Sequence, residues 1–192
     1  MASQGITVGP RGMAGAALDP APDIQIDTYI DYMCPFCRRF ERENGPALRD
    51  LVDGGKVTWV LHPLAFLDRL SNGTDYSTRS STAAFAVAKL APEAMGAFHT
   101  ALFANQPREG SDGLDEEKLE SLAVAAGMPT ERTGHLGNRE FVEAALLETQ
   151  AALDLGVQGT PTVVATREGV GRIMWDGETS LPAMVRELHD AS

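Results

Sequence analysis

The sequence predicts an α/β fold in which an amino-terminal strand, helix, strand unit is completed by a carboxyl-terminal hairpin and helix, with a helical subdomain inserted between them. Three observations carry this. Apolar and β-favouring residues alternate over Asp23–Ile30 and recur over Val57–Leu61, on either side of a helical pattern. The β signal then vanishes from His62 to about Arg139, where Ala-rich helical patterns are separated by Pro and Gly. Strand patterns return only after Gly156.

Taken in order, Met1–Pro22 is rich in Gly, Ala and Pro and is expected to be a flexible amino-terminal segment. It has no lysine cluster followed by an apolar stretch, so it does not read as an intact signal peptide. Ile24, Ile26 and Ile30 give Asp23–Ile30 the period of a strand. Asp31–Met33 makes a turn, and Pro35 sits at the first position of a helix, where a missing N–H costs nothing. That helix is expected over Pro35–Val52, kinked at Gly45-Pro46 and stopped by Asp53-Gly54-Gly55. Its length suits a crossover to a parallel strand at Val57–Leu61. Three helices are expected in the inserted block, over Ser77–Leu90, Glu93–Phe103 and Asp115–Ala126. A long amphipathic helix, Arg139–Leu155, ends at Gly156. Thr162–Thr166 and Arg172–Trp175 then form a hairpin across Glu168-Gly169, and Leu181–His189 a last helix. Residues 23–63 and 140–192 are thus expected to make one domain, interrupted by a helical subdomain at 64–139.

At 192 residues with 43% apolar composition the chain is long enough to bury a substantial core. Sixteen basic against 27 acidic side chains give a net charge of −11, which argues against nucleic acid as a partner, because phosphate contacts need clustered Lys and Arg. The apolar runs fall far short of the roughly 20 residues that span a bilayer, so no transmembrane segment is expected.

The chain has 2 cysteines, Cys34 and Cys37. Two cysteines placed at random in a chain of this length fall three apart about one time in a hundred, and these two also open a helix just after a strand. At a helix start, unpaired N–H groups and the macrodipole stabilise a thiolate at Cys34, and Cys37 is placed one turn on to form or resolve a disulfide with it. Arg38 and Arg39 add positive charge nearby, while Asp27 and Asp31 oppose it. The same spacing is also half of a zinc site. Two further ligands would be needed, and His62, His99, His135 and His189 are scattered with no paired spacing, so no metal is expected.

The run Asp31-Tyr32-Met33-Cys34-Pro35-Phe36-Cys37-Arg38-Arg39-Phe40, with Gly156-Val157-Gln158-Gly159-Thr160-Pro161-Thr162 some 120 residues later, resembles the thioredoxin superfamily and, within it, the DsbA-type disulfide oxidoreductases. The helical block between the motifs favours that subgroup over plain thioredoxin. The resemblance spans about Asp23 to His189. It implies a thioredoxin fold with an inserted helical subdomain, Cys34 and Cys37 as catalytic residues around the Pro35-Phe36 dipeptide, and a cis peptide bond at Pro161. Thr160 and Pro161 would then hold an extended substrate segment beside the sulfurs. The implied activity is introduction of disulfides into exported proteins, with reductase or isomerase as the alternative and a non-catalytic redox-sensing or peptide-binding module as the alternative outside enzymes. Protein thiols or disulfides would be the substrates, an unidentified redox partner would recycle the pair, and no cofactor is implied. A monomer is expected. An oxidase belongs outside the cytoplasm, since disulfides persist there; a cytoplasmic relative would be a reductase. One departure stands out: the family commonly carries a buried acid six residues before the first cysteine, and here that residue is Thr28, with Asp27 on the opposite face of the strand.

Other conspicuous residues have plainer readings. His62 reads as a surface or structural histidine and His99 as packing. Phe85, Met95, Phe98, Leu102 and Phe103 recur at helical spacing and read as core, as do Trp59 and Trp175. Arg38 and Arg39 read as a solvated face, and the acidic stretch Asp112–Glu120 as a helix start.

Overall fold

A computed structural model describes residues 5–191 of the chain. Its centre is a five-stranded sheet in the order β1-β3-β2-β4-β5, formed by β1 (Ile6–Val8), β2 (Ile24–Ile30), β3 (Thr58–Pro63), β4 (Thr162–Arg167) and β5 (Gly171–Met174). β2 and β3 are parallel and joined through helix α1 (Pro35–Asp53), as the length of the crossover requires; β1, β4 and β5 each run antiparallel to their neighbours. β3 continues two residues past the expected end because Tyr29 and Ile30 pair with His62 and Pro63.

The amino-terminal segment corrects the expectation of flexibility. Residues 1–4 lie outside the described residues, but Ile6, Thr7 and Val8 pair with Leu61, Val60 and Trp59 and close the edge of the sheet. Ile6 and Val8 are buried there, and a 3₁₀ turn at Pro10–Gly12 follows. A three-residue alternation among Gly, Ala and Pro gives little periodicity to read, yet it suffices once an edge strand supplies its hydrogen bonds.

The inserted block comprises α2 (Tyr76–Leu90), α3 (Met95–Ala104) and α4 (Glu116–Ala125), followed by α5 (Arg139–Asp154); α6 (Leu181–Asp190) ends the chain. The third expected helix of the chain begins instead as a separate 3₁₀ turn, Pro92–Ala94. Asp115 caps α4 by accepting a hydrogen bond from the Lys118 N–H. The two faces of the sheet are covered differently. Ile24, Ile26, Thr28 and Trp59 lie on one, where α1 and α6 pack against each other and the Trp59 indole donates to Thr28 at 2.8 Å. Asp27 and His62 lie on the other, beneath α5, so the alternation of the strand separates Thr28 from Asp27 as the sequence requires. Phe98 and Leu102 of α3 are fully buried, consistent with the core reading of that stripe.

Helix α1 runs without interruption through Gly45-Pro46, where a kink was expected. Gly45 has a packing reason to be glycine. An added Cβ would stand 2.5 Å from Glu41 Oε1, and the buried Glu41 carboxylate is held by Arg49 at 2.6 Å and His99 at 3.3 Å. Gly45→Ala gains about 1 kcal/mol of helix propensity but displaces that carboxylate. We expect a net destabilisation of about 1–2 kcal/mol in urea melts, and none in a Glu41→Ala background, where the side-chain atoms that the added Cβ would meet are gone.

Candidate active site

The sulfur-bearing turn is built by the junction of β2 and α1. Cys34 occupies the N-cap position in extended conformation, and Pro35 takes the first helical position. This aims the open end of α1 at Cys34, while the Cys37 and Arg38 N–H groups close on the Cys34 carbonyl at 3.1 and 3.2 Å. Cys37, one turn in, is completely buried, and Phe36 between them is 67% exposed, so the helix start presents one apolar side chain to solvent beside the sulfurs. Both cysteines are free thiols.

The two thiols differ in acidity. Hydrogen bonding from Cys37 is the largest cause that brings Cys34 down to about 6, helped by the Phe36 and Cys37 N–H groups and opposed by burial. Burial pushes Cys37 well up, and the adjacent Cys34 sulfur adds to the rise. The site therefore holds one thiolate near neutral pH, on the outer sulfur. Arg39 pairs with Glu43 on the exposed helix face, in line with the reading of that stretch as solvated.

The second motif arrives from the other end of the chain. The Thr160–Pro161 peptide bond is cis, and the loop places the Thr160 carbonyl 3.3 Å from the Cys34 sulfur, which donates to it as a thiol. Thr160, Pro161, Phe36, Phe40, Trp175 and Asp176 line a groove of about 330 Å³ next to the cysteine turn, whose Phe36 forms part of its wall. Trp175 is packed against the core as expected but only half-buried, and it also forms a wall of this groove, with its ring edge-on to Phe40 and its N–H bonded to the Thr179 carbonyl. A larger hollow of about 500 Å³ lies between the amino-terminal segment, α1 and α3, and its lining includes no residue of either motif.

Several neighbours escaped the sequence reading. Gln106, just past α3, donates to the Tyr32 and Cys34 carbonyls at 3.0 and 2.9 Å, tying the turn to the helical block. Asp31 is fully buried under the turn. His99 is more than packing: its ring bonds the Tyr32 hydroxyl at 3.0 Å and Glu41 on the other side. His62 is structural but buried, held between Asp27 at 2.9 Å and Glu148 at 2.7 Å and stacked on Tyr29. At the position where the family commonly has an acid, Thr28 accepts from Trp59.

Known proteins are similar to this chain in sequence and fold. The family model described as Thioredoxin matches residues 19–177. The crystal structure of reduced DsbA from Mycobacterium tuberculosis is similar with a TM-score of 0.78 and 28% identity, over 98% of this chain and 92% of that one. The reduced disulfide bond oxidoreductase DsbG from the same organism is similar with a TM-score of 0.76 and 30% identity, over 96% and 86%. Among curated proteins, the serine/threonine-protein kinase PknE of Mycobacterium tuberculosis (strain ATCC 25618 / H37Rv) is 29% identical over 162 residues, 79% of this chain but 26% of the kinase; the chain thus spans about a quarter of the length of the curated relatives it matches.

Proposed function

Because the chain belongs to the thioredoxin family, and within it to the DsbA type of thiol–disulfide oxidoreductase, we propose that Cys34 and Cys37 are its redox pair and that it introduces disulfides into exported proteins. The observation that carries the direction is the acidity of Cys34, about 6 for a thiol at the open end of α1. Whatever stabilises the thiolate stabilises the reduced enzyme, and so strengthens the disulfide form as an oxidant.

The reaction proceeds in two exchanges. A substrate thiolate attacks the Cys34 sulfur of the Cys34–Cys37 disulfide; the Cys34–Cys37 bond breaks, and Cys37 leaves and takes up a proton. A second substrate thiolate then attacks the substrate sulfur of the mixed disulfide and expels Cys34 as a thiolate. Two substrate thiols lose two electrons and two protons, and the enzyme disulfide gains the electrons. Cys37, a weak acid and completely buried, holds its proton; Cys34, the stronger acid, is the better leaving group. Thr160 and Pro161 would hold an extended substrate strand along the groove, with Phe36 and Trp175 against its apolar side chains.

Protein thiols are thus the substrates, and a second redox protein must reoxidise the pair. We place the enzyme, acting as a monomer, outside the cytoplasm, where the disulfides it makes persist. No helix among the described residues is long and apolar enough to cross a membrane.

A stability comparison tests the direction. The Cys34 pKa is depressed in the folded reduced protein from 9.0 to about 6, so between those values the unfolded chain binds more protons and folding stability rises with pH. The contribution is full above about 9 and lost as pH falls through about 6. The disulfide form has no such ionisation. We therefore expect the reduced protein to gain stability over the oxidised protein from pH 6 to 9 in paired denaturant titrations, and to be the more stable form at pH 8. An oxidised form that stays the more stable across this range would point to a reductase.

A further inference from the structure

We propose that Asp31 is the positioning residue of the cysteine turn and the group that takes up the second proton when the Cys34–Cys37 disulfide is reduced; the inference rests on the redox reading above. Asp31 stands three residues before Cys34, at the end of β2, and touches both cysteines through its backbone. Its N–H donates to the Cys37 sulfur at 3.5 Å, and its carbonyl accepts from the Cys34 N–H at 3.0 Å. Its side chain is 0% exposed. Oδ1 accepts from the Met33 N–H and the Ser77 hydroxyl, both at 2.8 Å, and Oδ2 accepts from the Phe66 and Leu67 N–H groups at 2.9 and 3.0 Å. One carboxylate thus pins the cysteine turn to the loop after β3 and to the first turn of α2.

The composition of that shell decides what the carboxylate can do. All four partners are uncharged, so the burial of the anion is offset by dipoles alone. Three of them are backbone N–H groups, which can only donate. Ser77 carries a hydroxyl, which can donate to the carboxylate or turn and accept from the acid. Protonation at Oδ1 therefore needs one hydroxyl rotation and no rearrangement of the backbone. The titratable groups facing Asp31 are Cys34 and Cys37 from the turn and Tyr76 from α2, whose phenol is pushed up by burial and then by Asp31. Arg79 lies over the Tyr76 ring, and Asp68 is bound to Thr78. The loop after β3 offers only backbone to the carboxylate.

Burial pushes Asp31 up to about 6, and the charge on Cys34 pushes the same way. In the disulfide form Cys34 carries no charge, and Asp31 is a stronger acid. Oxidation of two substrate thiols liberates two protons with the two electrons. One proton goes to Cys37. Near pH 6 the other stays in the site, held by Cys34 and Asp31 as a coupled pair, and at higher pH it is released to solvent. The role that the family commonly gives to an acid at the position of Thr28 thereby falls to Asp31, three residues further along the chain.

The test is a reduced-minus-oxidised infrared difference spectrum near pH 6 with carbon-13-labelled aspartate. A protonated-carboxyl band that shifts with the label is expected in the wild-type protein, and its loss in Asp31→Asn. Ser77→Ala should keep the reversible disulfide and move the band to the position of an unbonded acid. In redox titrations, reduction weakens about a hundredfold per pH unit while two protons are taken up and about tenfold while one is. The break between these regimes should fall at lower pH in Asp31→Asn, with the pair about tenfold more oxidising above it. A merely structural role for Asp31 would move neither the labelled band nor the break. Absence of the band in the wild type, or an unmoved break in a folded Asp31→Asn, overturns the inference; if that variant does not fold, the labelled wild-type spectrum decides alone. A wild-type protein that forms no reversible disulfide overturns instead the redox reading on which the inference rests.

Discussion

Cys34→Ser is expected to lower thiol oxidation of a reduced protein substrate by about a thousandfold or more, and Cys37→Ser, given a disulfide-bonded protein, to accumulate a mixed disulfide as its Cys34 thiolate attacks the bond and releases one substrate thiol. The asymmetry follows from position. The Cys34 sulfur lies 3.3 Å from the carbonyl of Thr160, itself a groove residue, and is acidic, so it is the one expected to meet an incoming thiolate. Cys37 is buried behind it. Without Cys34 there is no sulfur for a substrate to reach. Without Cys37 the mixed disulfide cannot return to the enzyme disulfide, and it persists until a second thiol displaces it. Non-reducing electrophoresis after acid quench distinguishes the two. A mixed disulfide that forms through Cys37 in the Cys34→Ser protein would reverse the assignment.

The second large effect is on stability and lies on the far face of the sheet. His62→Ala should destabilise the protein by about 3–5 kcal/mol at a pH below 6.5, because it removes the imidazole that bonds both Asp27 and Glu148 and leaves two carboxylates near one another in a largely buried site. Gly5 N–H also bonds Glu148 Oε2 at 3.0 Å, so loss of order there should spread to β1. The interaction has a pH signature. Burial pushes His62 down, but hydrogen bonds and the charges of Asp27 and Glu148 win and raise it above its ordinary 6.5. A group raised in the folded state stabilises fully below its unfolded value and loses that contribution as pH rises through its folded value. The stability gap between wild type and His62→Ala should accordingly narrow as pH rises above 6.5, in denaturant titrations at constant ionic strength. A gap independent of pH would show that His62 acts by packing on Tyr29 alone.

Much of the site was legible because its two motifs are local. Cys34, Pro35 and Cys37 announce a helix start with a sulfur at its open end, and Gly159-Thr160-Pro161 announces a turn before a strand; which turn faces which followed from resemblance. The residues that tune the site were not legible, since each acts across long stretches of sequence. Asp31 is one acid among many until Phe66, Leu67 and Ser77 are seen to surround it. Gln106 reaches Cys34 from 72 residues away, and no periodicity marks a polar residue just past a helix end. His62 and His99 were underestimated for the same reason: Glu148 and Glu41 lie on other elements. In the fold, the helical block and the strand order around it were readable from period. The edge strand Ile6–Val8 was not, because its hydrogen bonds belong to β3 rather than to any pattern of its own.

Whether the acidic Cys34 makes this protein an oxidant is tested most directly by equilibrating the Cys34–Cys37 pair with a glutathione series and following Cys34 ionisation by thiolate absorbance in the same samples. The predicted result is a reduction potential toward about −120 mV with Cys34 titrating near 6. A potential near about −270 mV with an ordinary thiol at Cys34 would contradict it and assign the protein to reduction.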